Sequence, residues 1–280
     1  VPSSRPFVSF TTDFGAAYTA TCAGVVYTIA SEANVLVLSD EVTKYSIIEG
    51  AMLLRQAVPY LPVGVQVGIV DPGVGTRRHP VAVATGRGDV LIGPDNGLLV
   101  PAAEALGGVV RAHRLTNPAY RLPSMSTTFH GRDLFAPAAG HVATGVDIAE
   151  LGPAIDTLVP LEPPAPVIGS GALTLSVLYP DDFGSLILSG EAADLQAALG
   201  PVPHGTPLEL IWTGTDGPRA VRVPYEETFG KVPFGEPLLF TDSSGWLGLA
   251  INRGSAEARF ELATNQLITI RAPESPSDTA

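Results

Sequence analysis

The run Val65-Gln66-Val67-Gly68-Ile69-Val70 is mainly apolar and β-branched, and it stops abruptly at Asp71-Pro72-Gly73-Val74-Gly75-Thr76-Arg77-Arg78. Such a run fits a strand buried on both faces, as in the middle of a parallel sheet. Pro and two Gly then break it into a tight loop. Asp71 is therefore expected at the carboxyl end of a central strand, where open α/β sheets form their ligand crevice. On spacing alone, this loop of one carboxylate and two guanidinium groups is equally compatible with a solvated turn holding a local ion pair.

The surrounding pattern alternates strand and helix. Phe7–Thr12, Val35–Asp40, Val81–Ala84 and Val90–Gly93 read as strands; 17–31, 47–58, 98–106 and 134–144 read as helices. This predicts an α/β N-terminal domain with a mainly parallel central sheet over 1–158. A Pro-rich linker follows at 159–168. Beyond it short strands alternate with turns at 172–179, 185–189, 207–213, 219–223, 237–241, 246–251 and 267–271, with a short helix at 191–199. That predicts a smaller all-β domain, barrel or sandwich, over 169–272. The tail 273–280 reads as disordered.

Composition narrows the partners. Of 280 residues 45% are hydrophobic and 16% charged, as in a well-buried globular chain, and the net charge is −12. An anionic surface argues against nucleic acid and anionic membrane. Cys22 is the single cysteine; it lies on an apolar helical face and reads as a packed thiol. No stretch reaches the roughly 18 apolar residues of a membrane helix. Val1–Arg5 carries no secretory pattern, so a cytoplasmic protein is expected.

Several chemistries lack their signatures. Asp71, His79, His130 and Asp133 offer metal-ligand atoms but not metal-site spacing, so no metal is expected. There is no Gly-x-Ser-x-Gly elbow and no Walker loop, and Gly73-Val74-Gly75 is half a dinucleotide fingerprint. His113, His141 and His204 read as ordinary structural or surface residues. Asp13, Asp71, Arg78 and His130 remain, at strand ends and, for His130, before a helix whose dipole disfavours imidazolium. Carboxylate, guanidinium and imidazole together suit water activation. Spacing does not establish that they meet.

Four motifs occur in order: Thr12-Asp13-Phe14-Gly15, Asp71 to Arg78, Gly93-Pro94-Asp95-Asn96-Gly97-Leu98-Leu99, and Thr128-Phe129-His130-Gly131-Arg132-Asp133. With Asp182-Phe183-Gly184, Thr228-Phe229-Gly230 and Asp242-Ser243-Ser244-Gly245 behind the Pro-rich break, the chain resembles the S-adenosylmethionine hydroxide adenosyltransferases, hydrolytic relatives of the fluorinase and chlorinase. The resemblance implies hydrolysis of S-adenosyl-L-methionine to adenosine and L-methionine by water attack at ribose C5′. It implies no cofactor, and a homotrimer with active sites between subunits. It assigns catalysis to Asp71, Arg78 and His130. Halogenating relatives carry Tyr where Asp71 stands and lack the His at 130. A carboxylate there repels halide.

The resemblance also implies substrate contacts. Asp13 would hold the ribose hydroxyls and Tyr45 pack on the sugar. Asp181 would pair with the substrate amino group, and Phe183 and Phe229 would flank adenine. Ser243 would lie near the methionine carboxylate, and Arg253 would offer backbone groups to adenine. Asn96, Phe129 and Ser185 complete the implied set. The chain departs from the family pattern at Tyr18, Ala23, Asp40 and Ser185, where relatives usually carry a second acid, Lys, His and Asn. It also lacks, at Ser243-Ser244, the Arg that some halogenases place there. The competing readings are a halogenase and a non-catalytic binder of S-adenosylmethionine or adenosine.

Overall fold

The computed structural model describes residues 5–273. Most of the expected disordered tail lies outside the described residues. The chain separates into two compact units, one ending at Leu161 and one beginning at Glu162. Among the described residues no helix is long and apolar enough to cross a membrane.

The first unit holds strands β1 (Phe7–Thr12), β2 (Asn34–Ser39), β3 (Val65–Ile69), β4 (Pro80–Thr85), β5 (Val90–Pro94), β6 (Val109–Arg114) and β7 (Ala154–Ile155). They form one sheet in the order β2-β1-β3-β5-β4-β6-β7. The pairings from β2 through β5 are parallel and those from β5 through β7 antiparallel. The expected parallel centre thus carries an antiparallel flank. β6 and β7 escape the sequence pattern because β6 mixes Arg and His with its apolar residues and β7 has only two.

Helices α1 (Ala16–Ile29), α2 (Ile47–Ala57), α3 (Val100–Ala105) and α4 (Ala136–Ala143) cover the sheet. All five residues of β3 are buried. Val65, Val67 and Ile69 join a core with α1 and α4, and Val70 joins one with α2 and α3, so the run is mainly apolar; its one polar side chain, the buried Gln66, is hydrogen-bonded to Ser9, Pro62 and Asp89. Two glycines set the sheet's spacing here. A Cβ on Gly93 would sit 2.2 Å from the Gly68 carbonyl oxygen, and one on Gly68 would sit 2.8 Å from Leu98 Cδ2.

The chain goes from β1 through α1 to β2 on one side, then through α2 to β3 on the other side of β1. The strand order therefore reverses between β1 and β3, and their carboxyl ends border the crevice that such a reversal creates. Asp13 and Asp71 sit there.

The second unit contains β8 (Val167–Gly169), β9 (Ala172–Pro180), β10 (Leu186–Glu191), β11 (Thr206–Gly214), β12 (Gly217–Tyr225), β13 (Pro237–Thr241), β14 (Trp246–Ile251) and β15 (Leu267–Arg271), with α5 (Ala192–Leu199) and α6 (Ala256–Phe260). The order β10-β14-β13-β12-β11-β15-β9 closes through β9–β10 pairing into a seven-stranded barrel, and β8 adds to β9 outside the ring. Alternate residues such as Leu173, Leu175 and Val177, or Leu208, Leu210 and Trp212, fill its interior. Closure resolves the barrel-or-sandwich choice and leaves few open strand edges.

Candidate active site

The loop after β3 is shaped by its glycines. Val74 N–H donates to the Asp71 carbonyl and Thr76 N–H to the Gly73 carbonyl. Gly75 has φ +75°, and a Cβ there would lie 2.8 Å from the Thr127 carbonyl oxygen. Glycine is therefore needed for both conformation and close approach. The loop can then rest against the segment that carries His130, which brings residues 71–78 and 130 together.

Arg78 Nε donates to both Asp71 carboxylate oxygens at 3.0 and 2.9 Å, and Nη2 donates to Oδ2 at 2.5 Å. Nη2 also lies 2.8 Å from His130 Nδ1. A guanidinium only donates, so Nδ1 is the acceptor and the neutral imidazole carries its proton on Nε2. The Arg78 guanidinium lies 5.3 Å from the centroid of the Phe135 ring. The Asp71 and Arg78 side chains are 7% and 10% exposed, which strengthens their interaction relative to a surface pair.

Burial pushes the His130 pKa below 6.5, and the neighbouring Arg78 charge pushes it further; Asp71 and Asp133 oppose this in part. The direction is the expected one, and desolvation leads the shift. His130 precedes a π turn at Gly131–Phe135 that feeds α4. Turns of this kind often occur at functional sites. Asp133, with a fully buried side chain, anchors it by accepting from Ser126 N–H at 2.7 Å and Arg132 Nε at 2.6 Å. Burial raises the Asp133 carboxyl, but those bonds and the Arg132 and His130 charges outweigh it and hold the pKa low.

Asp71 and His130 line a cavity of about 350 Å³ together with Asp13, Lys44, Tyr45 and Phe129. Tyr45 has φ +68°, unusual for a bulky residue, and its N–H donates to Asp13 Oδ2 at 2.9 Å. Lys44 Nζ donates to the Asp13 backbone carbonyl. Phe14, Tyr18 and Phe129 meet edge to face beside it. Asn96 stands behind the cavity wall: its Nδ2 donates to the Val70 carbonyl at 2.8 Å and its Oδ1 accepts from Leu98 N–H. That bond fixes the strand end just before Asp71. Sequence reasoning missed Lys44, Phe14 and Val74 as lining residues; only their adjacency to Tyr45, Asp13 and Gly73 hinted at them.

The barrel unit has its own cavity, about 510 Å³, lined by Phe183, Ser185, Phe229, Asn252 and Arg253 among others. Asp181 Oδ1 accepts from Phe183 and Ser185 N–H at 2.9 and 2.8 Å, forming a turn that presents Phe183 outward, 84% exposed. Arg253 has φ +57° and stacks on Phe234. Ser243 is exposed in the turn before β14, which Asp242 holds by accepting from Ser244 and Trp246 N–H; Ser243 does not line this cavity. Cys22 is fully buried and its thiol is pushed up to about 12 by desolvation, as a packed thiol should be. Among the described residues no three His, Cys, Asp or Glu side chains are grouped to hold a metal ion.

Comparison with known proteins adds to this geometry. Family models described as the SAM hydroxide adenosyltransferase N-terminal and C-terminal domains match residues 8–152 and 175–269. A protein of Salinispora arenicola named (R)-S-adenosyl-L-methionine hydrolase is 40% identical over 91% of this chain and 93% of its own. A fluorinase of an Actinoplanes species is 24% identical, over 96% and 98%. The crystal structure of an uncharacterized conserved protein from Thermotoga maritima superposes with a TM-score of 0.82 at 27% identity, covering 94% of this chain and 99% of that one. Matched through both its domains, the chain belongs to the SAM hydroxide adenosyltransferase family.

Proposed function

We propose that this protein hydrolyses S-adenosyl-L-methionine to adenosine and L-methionine. The observation that carries the reading is the Asp71–Arg78–His130 cluster, joined by direct hydrogen bonds at the mouth of the crevice. Water attacks ribose C5′ in line with the departing sulfur. The C5′–S bond breaks, its electron pair neutralises the sulfonium to a thioether, and the water loses a proton. A sulfonium leaves readily, so the protein's task is to orient and desolvate the water and help remove that proton.

The hydrogen bonding suggests a division of labour. With His130 Nδ1 engaged by Arg78, its Nε2–H is a donor that can hold the water oxygen. Asp71 is the anionic group beside the same cavity, and a remaining carboxylate lone pair receives the proton as the C–O bond forms, while Arg78 keeps the carboxylate oriented and stabilises developing hydroxide. His130 takes the proton itself only if Arg78 withdraws from Nδ1. Asp13 would hold the ribose diol, with Tyr45 and Phe129 against the sugar and Asn96 supporting the wall. Asp181, Phe183, Ser185, Phe229, Ser243 and Arg253 would recognise adenine and the methionine portion. The reaction as written needs only S-adenosylmethionine and water, so no cofactor is part of the proposal. The working form is a homotrimer with sites at subunit interfaces, cytoplasmic, without nucleic-acid or membrane partners.

The fluorinase relative keeps a halogenase as the second reading. Chromatography after incubation with S-adenosylmethionine in excess chloride or fluoride separates the two. Adenosine alone supports hydrolysis, and a 5′-halogenated nucleoside refutes it. Binding without turnover would make the protein a sensor. Light scattering on the eluting protein tests the trimer.

A further inference from the structure

The first unit has another cavity, about 610 Å³, lined by His79, Asp95, Arg114 and Asp156 and by residues of the 154–160 segment. It shares no lining residue with the Asp13–Asp71–His130 cavity. Arg114 is the last residue of β6. Arg78, Arg87, Arg111, Arg132 and Arg219 each grip a carboxylate. Among the described residues the Arg114 guanidinium has no hydrogen bond or ion pair, and its Nε is buried without a partner. Nε is enclosed and the two Nη nitrogens are not, so the edge this guanidinium turns to a ligand is its Nη1–Nη2 fork, which can take a carboxylate with two bonds.

A simple anion does not suit the rest of the wall, because Asp95 and Asp156 face the same space. Asp95 Oδ1 accepts from Val159 N–H at 2.8 Å, and the Asp156 side chain has no hydrogen-bond or ion-pair partner among the described residues. A ligand carrying both charges satisfies both ends at once. We infer that this cavity binds a zwitterionic α-amino acid, with its carboxylate on the Arg114 fork and its ammonium toward Asp156 and Asp95. Asp95 N–H donates to the His79 carbonyl at 2.8 Å, and His79 directly follows Arg78, so the cavity and the Asp71–Arg78 pair share one stretch of chain.

The test uses the full chain at constant pH and reads the His79 ring resonance by NMR, assigned with His79→Gln. This probe is local to the cavity and independent of whether S-adenosylmethionine is hydrolysed. L-Methionine is expected to shift that resonance saturably, and acetate or ethylammonium to do so far more weakly. Arg114→Gln is expected to weaken L-methionine binding at least about tenfold, the loss of one charge-assisted fork. Arg114→Lys, which keeps the charge but not the fork, is expected to fall between, and it keeps the test open if Arg114→Gln misfolds. A resonance unmoved by L-methionine, a shift unchanged in both variants, or acetate binding as tightly as L-methionine would each overturn the inference.

Discussion

Replacing Asp71 by Asn removes one negative charge with little change of shape. In the native protein the Asp71 carboxylate receives three contacts from Arg78, and both side chains are nearly buried. Breaking a fully buried pair costs about 3–5 kcal/mol because a charge is left unmatched. Here the amide oxygen still accepts one Arg78 bond and the adjoining cavity admits water, so the expected loss is about 2–3 kcal/mol. At about 2–4 °C per kcal/mol, the melting temperature should fall by roughly 4–12 °C. The kinetic effect should be larger than stability alone explains. Losing the proton acceptor should lower kcat by about 100-fold or more, equivalent to about 2.7 kcal/mol of barrier. KM should change much less, since Asp71 acts on the water. Steady-state kinetics below the variant's melting temperature, beside calorimetry, test this. A kcat within twofold of the parent would refute the role given to Asp71.

Gly93→Ala should destabilise the protein by about 2 kcal/mol or more, because its Cβ would meet a backbone carbonyl that cannot turn aside; an unchanged melting temperature would contradict the close β3–β5 approach. Phe183→Ala should leave stability within about 0.5 kcal/mol, since the ring is exposed, yet lose about 1–3 kcal/mol of stacking, roughly 5- to 150-fold in KM. His130 has a native pKa below 6.5, so the unfolded chain binds more protons there between the two values. Its contribution is fully present above pH 6.5 and is lost as pH falls through the lowered value. The acid limb of kcat/KM should therefore lie below 6.5, and His130→Asn should flatten stability in that window. A limb above 6.5 would reverse the sign.

Much of this was legible in the sequence for identifiable reasons. β3 was found because a strand covered by helices on both faces is mainly apolar along its whole length. β11 and β12 were found because each alternates inward and outward residues between turns, and β10, β13 and β14 because each is a short apolar run bounded by turns. β6 was hidden because three of its residues are exposed and its Arg111 and His113 serve other contacts. The π turn was hidden because its extra residue per turn leaves no period of its own in five positions. At the site, the glycines around Asp71 and the order of motifs pointed to the right loops. That Arg78 bridges Asp71 and His130, which are 59 positions apart, is a long-range fact set by the Gly75–Thr127 approach. Lys44 was missed because its anchor is a backbone carbonyl, which any residue supplies.

Incubation with S-adenosyl-L-methionine in oxygen-18 water, followed by mass spectrometry of the nucleoside, tests the central claim most directly. Adenosine carrying one heavy oxygen at the 5′ position, with unlabelled methionine, is the predicted result. Adenosine without label, a 5′-halogenated nucleoside when halide is added, or intact substrate despite measurable binding would contradict it.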